Sequence, residues 1–98
     1  MLAEDNMNVS DTIRTKLTAA LAPDALTIED ESSKHAGHSG ARPEGETHFR
    51  VTIVSPVFEG ASRVERQRRV YAVLADELQN RVHALALTTL TPKEAEAR

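Results

Sequence analysis

The chain contains no cysteine. This excludes a disulfide framework, a thiol nucleophile and a zinc–thiolate site built from this chain alone. It also leaves the chain unable to supply, unaided, the four thiolates that usually hold an iron–sulfur cluster. Tryptophan is absent and aromatic residues amount to only 3%, so aliphatic side chains must build the core. No apolar run approaches the roughly 18 residues needed to span a bilayer, and no membrane association is expected. The first residues are polar and acidic, unlike a secretory signal, so a cytoplasmic protein is expected. No internal repeat is present. GARPEG, the glycine-rich segment, lacks the lysine and the following helix of a phosphate-cradling loop. Thr47, Ser55 and Ser62 sit in no nucleophile-elbow motif, and the carboxylates are scattered along the chain. An enzyme is not expected.

The 98 residues, with a formal net charge of −3, suit a single small domain. An acidic balance excludes nucleic-acid binding by the molecule as a whole and leaves only a local basic patch to do it. Residues 1–8 are polar without periodicity and are expected to form a flexible N-terminus ahead of one domain over 9–98. Ile13, Leu17, Ala20 and Leu21 then fall on one helical face, with Asn8 or Ser10 as cap and Pro23 as terminator. From Ala25 to Asp30, apolar and polar residues alternate, as in a strand with one wet face. The segment SSKHAGHSGARPEG follows, with three of the four glycines, and reads as a long loop of the kind that is often functional.

His48 to Ser55 alternates again, with Phe49, Val51 and Ile53 as its core face. Ser62 and Glu65 form a capping box. The helix behind it runs to about Gln79, with Val64, Tyr71, Leu74 and Leu78 on one side and Glu65, Arg66, Arg69 and Asp76 opposite. Gln67 falls on the apolar side and suggests a break there. Asn80 can stop the helix. Val82 to Thr89 is almost continuously apolar, as expected of a central or well-covered strand. Thr91, Pro92 and Glu94 open a short terminal helix. The first two strands predict an antiparallel hairpin, and the helical crossover predicts a parallel pairing of the second and third. The economical solution is an α+β domain whose three-stranded mixed sheet has helices on one face.

Two clusters could carry chemistry. His35 and His38 lie three apart in the long loop, and His83 begins the third strand. Imidazole is a common ligand for transition metals, but HxxH on a loop is a weak signal, and loop histidines are often just solvated. Arg63, Arg66, Arg68 and Arg69 crowd the start of the main helix, where they could meet phosphates. The plainer reading is a solvated face, with Glu65 pairing Arg69 at i, i+4. No aromatic side chains interleave with them to stack bases.

Taken together, DESSKH, ETHFRVTIVSPVFEGASRVERQRRVYAVLADEL and RVHALALTTLTP resemble the BolA-like family from about Ile13 to Pro92. The resemblance implies a class II KH-like fold in the order helix, strand, strand, helix, helix, strand, helix, with the main helix divided near Arg66. It implies binding to a monothiol glutaredoxin and sharing of a 2Fe–2S cluster held also by the glutaredoxin and its glutathione, in iron–sulfur trafficking or iron regulation. The family's histidine ligand matches His83, and its loop ligand matches His35 or His38. The alternative role the family implies is a DNA-binding transcriptional regulator of stress response and cell morphology, here through Arg63, Arg66, Arg68 and Arg69. Gln67 stands where many relatives have histidine. Alone, the protein is expected to be a monomer or weak homodimer.

Overall fold

The computed structural model describes residues 8–31 and 47–98; His35, His38 and residues 1–7 lie outside them. Asn8 caps α1 (Val9–Leu21), its side-chain oxygen accepting from the Asp11 N–H at 2.7 Å. Val9, Ile13, Leu17 and Leu21 recur at helical spacing and are buried, whereas Ala20 is exposed. The chain leaves the helix through Ala22 in the left-handed region (φ 43°), one residue before Pro23.

Strands β1 (Ala25–Asp30) and β2 (His48–Val54) pair antiparallel, and β2 pairs in parallel with β3 (Ala84–Leu90). The sheet order is β1-β2-β3, as the hairpin and crossover predict. Among the described residues β3 is therefore an edge strand; of the two readings of its apolar run, central or well covered, the first is corrected and the second holds for one face. Only the face bearing Leu85, Leu87 and Thr89 is covered, while Ala84 and Ala86 on the other face are exposed. The strand begins two residues later than expected, and His83 precedes it.

A short 3-10 turn (Pro56–Phe58) inserts Phe58 into the core. Its Ser55 cap also donates its hydroxyl to the Leu21 carbonyl at 2.6 Å, joining the end of β2 to the end of α1. Gly60 then adopts φ 79°, a conformation a glycine takes without steric cost. The Ser62–Glu65 capping box opens α2 (Arg63–Val73), which passes at Leu74 into α3 (Ala75–Asn80).

The break thus falls at Leu74, not near Gln67 or Arg66. Bending there keeps Leu74 in the core and turns Glu77 toward α1, where its carboxylate meets Lys16 at 2.9 Å. That contact raises the Lys16 pKa, chiefly through the hydrogen bond. The inward face of α2–α3 also differs from the sequence reading. Arg66, Val70, Leu74 and Glu77 are buried, whereas Val64 and Tyr71 are exposed. Two of the buried four are charged, so hydropathy alone points to the wrong side. A second capping box, Thr91 with Glu94, starts α4 (Pro92–Glu96). Helices pack on the Phe49, Val51 and Ile53 face of the sheet, and the His48, Arg50, Thr52 and Val54 face stays more open.

Candidate functional site

The start of β2 organises the site. Thr47 is fully buried, and its carbonyl accepts the backbone N–H of His83 at 2.7 Å and of Ala84 at 3.2 Å. Its hydroxyl lies 2.8 Å from Nδ1 of His48. On the other side of β2, the Glu31 N–H reaches the His48 carbonyl at 2.7 Å. Arg50 meets the Glu31 carboxylate at 3.1 Å, a hydrogen bond that raises the Arg50 pKa. The chain therefore enters the 32–46 segment at Glu31, two strand spacings from the start of β3, and leaves it at Thr47, one spacing away, each spacing being about 4.8 Å.

His83 itself is exposed. Its ring lies nearly parallel to that of His48, with centroids 6.1 Å apart and 12° between the planes, within the usual range for offset ring pairs. His48 is not among the ligands anticipated from sequence. The signal that could have found it is topological: β2 and β3 run in parallel, so residues at their starts lie side by side.

Among the described residues, no group of three or more histidine, cysteine or acidic side chains could hold a metal ion. His83 is thus at most part of a metal site. The donor set suits one half of a shared cluster, with nitrogen from this chain and sulfur from elsewhere. Chain length allows a loop histidine to join it. His35 lies four residues beyond Glu31 and can reach about 14 Å, and His38, seven beyond, about 24 Å.

The arginine cluster is divided by the fold. Arg66 is 8% exposed and points inward, against the expectation that it belongs to a phosphate-facing patch. It donates to the Ala61 carbonyl at 3.0 Å, the Thr89 carbonyl at 3.1 Å and the Glu94 carboxylate at 2.7 Å, and its guanidinium lies 5.8 Å from the Phe58 ring centroid. The hydrogen bond from Arg66, with that from the Thr91 N–H, lowers the Glu94 pKa to about 2. Arg63, Arg68 and Arg69 remain on the surface, with Arg69 bonded to the Val57 carbonyl at 2.9 Å. Glu65 bonds the Ser62 backbone, which lowers its pKa. Its carboxylate is thus spent on the helix cap, not on a side-chain bond to Arg69.

These features define a small α+β domain, a three-stranded mixed sheet backed by helices, with an exposed histidine at one end of the sheet. The sequence pattern of the family described as BolA-like protein matches residues 17–94, and the chain belongs to that family. The chain is 50% identical over 82 residues to the human BolA-like protein 1, covering 84% of this chain and 57% of that protein. It is 45% identical to the UV-induced protein uvi31 of Schizosaccharomyces pombe, over 90% of each. The solved structure of BolA1 from Arabidopsis thaliana superposes with a TM-score of 0.80 at 46% identity, covering 90% of this chain and 96% of that one. The chain spans little more than half the length of several curated relatives it matches, the human protein among them.

Proposed function

We propose that this protein binds a monothiol glutaredoxin and shares a 2Fe–2S cluster with it. His83 supplies one imidazole, His35 or His38 supplies a second, and a glutaredoxin cysteine with a bound glutathione supplies the sulfurs. The observation that carries the reading is the exposed His83 ring at the base of the segment bearing both loop histidines. A ligand donated to another protein's cluster has to be reachable from outside, and a sealed imidazole could not serve. Two nitrogens on one iron and two sulfurs on the other is a stable arrangement, with a higher potential than four thiolates. In it, this chain binds and orients nitrogen donors, and the cluster supplies the redox chemistry. Membership of the BolA-like family supports the same role.

The test is anaerobic reconstitution of the protein with a monothiol glutaredoxin, glutathione, iron and sulfide. The mixed complex should show a visible absorption and circular-dichroism spectrum distinct from that of the glutaredoxin alone. His83→Ala should abolish the difference. One of His35→Ala and His38→Ala should alter it, which identifies the loop ligand. An unchanged mixed spectrum with His83→Ala would refute the proposal.

A DNA-binding role has less to stand on. With Arg66 turned inward, the four-arginine patch loses a member and retains Glu65 among the remaining three.

A further inference from the structure

We propose that the edge of β3, unpaired among the described residues, is a docking groove for an extended, acidic segment of another polypeptide, which adds to the sheet as a fourth strand. In a parallel ladder, alternate residues direct both backbone groups to the neighbouring strand. Ala84 and Leu90 do so here: the Ala84 N–H reaches the Thr47 carbonyl, and the Leu90 carbonyl accepts from the Ser55 N–H at 2.9 Å. By the same register, Leu85, Leu87 and Thr89 turn their N–H and C=O groups outward. Among the described residues, only the Thr89 carbonyl is occupied, by Arg66. An unpaired strand edge is a template for another strand.

The edge is accompanied by a groove. A depression of about 560 Å³ runs along Leu87 to Leu90, walled by Arg63 and Gln67 of α2 and by Glu94 and Arg98. Glu94 is already paired with Arg66, so the charge left in the groove is that of the Arg63 guanidinium. A second observation points to a ligand. Thr89 lines the groove and is 6% exposed, yet its hydroxyl has no hydrogen-bond partner among the described residues. A buried hydroxyl without a partner is costly, and an incoming peptide group could satisfy it.

The chemistry selects the occupant. Outward amides and carbonyls recur every second residue, at about 6.6 Å, a spacing that matches a polypeptide strand and that phosphates cannot satisfy, since they only accept. A second copy of this chain, paired edge to edge, would bring the two sets of arginines together. An acidic strand meets both the ladder and the charge. The groove lies along the far half of β3 from His83, so it stands or falls independently of the glutaredoxin reading.

Isotope-labelled protein titrated with a blocked heptapeptide of alternating glutamate and valine tests the proposal by nuclear magnetic resonance. The Leu87 and Thr89 amides should shift and gain protection from hydrogen exchange. Binding should weaken at least tenfold for the lysine–valine counterpart and for Arg63→Glu. Thr89→Val should weaken binding while leaving the melting temperature equal or higher, which separates lost contact from lost folding. Equal response to both peptides, response only to a thymidine decanucleotide, or no response at millimolar peptide would overturn the proposal.

Discussion

His83 and His48 show what a single side chain contributes to this surface. His48 is held at Nδ1 by the buried Thr47 hydroxyl, and its ring faces His83 across 6.1 Å. Thr47 in turn accepts the His83 backbone N–H, so ring and backbone are positioned by one neighbour pair. His48→Ala should leave the fold intact and still permit the proposed shared cluster to form. It should shorten the cluster's lifetime and shift its circular-dichroism bands, because the His83 ring then lacks a wall on one side. A lifetime equal to wild type, followed by the decay of visible absorbance, would show that His48 does not position His83. Arg66 teaches the opposite lesson about reading residues. In sequence it is one of four surface cations; in the fold it is an internal clamp joining the loop before α2, the end of β3 and α4.

At the scale of elements, ends are better determined than faces. Both capping boxes appear where the sequence places them, because a cap is settled by residues three apart, and of the two caps offered for α1, Asn8 and Ser10, the helix uses Asn8. The end of α1 is strained. Ala22 sits at φ 43°, where a Cβ crowds the following carbonyl and costs roughly 1–2 kcal/mol. Ala22→Gly removes that cost but adds freedom to the unfolded chain. The expected net gain is about 0.5–1 kcal/mol, or ~3–6 °C in melting temperature for a domain of this size, read by thermal and urea unfolding. The break at Leu74 carries no glycine or proline to announce it. It is set by α3 turning toward Lys16, a contact between residues 61 apart in the chain.

For the whole molecule, acid should be the weak side. Glu94 is lowered to about 2 by Arg66 and the Thr91 N–H, and Glu65 is lowered by the Ser62 backbone. A carboxylate whose folded pKa lies below its unfolded value adds stability above the unfolded pKa, near 4.5, and loses it as pH falls toward the folded value. Stability should therefore decline between about pH 5 and pH 2. Glu94→Gln should be less stable than wild type at pH 7 and should converge with it toward pH 2. Urea midpoints at a series of pH values check this; parallel curves for the two proteins would remove Glu94 from the account.

The sequence alone determined the element order, the two capping boxes, the α+β class, the antiparallel and parallel pairings and the family, because each rests on local periodicity, short-range hydrogen bonding or a residue pattern that survives without coordinates. Tertiary packing alone decided that β3 is an edge, that Arg66 and Glu77 point inward, and that His48 and His83 face one another. These depend on which groups from distant parts of the chain arrive to cover a surface or share a charge. A buried guanidinium is tolerable only once two carbonyls and a carboxylate have converged on it, and no spacing of residues along the chain records that convergence.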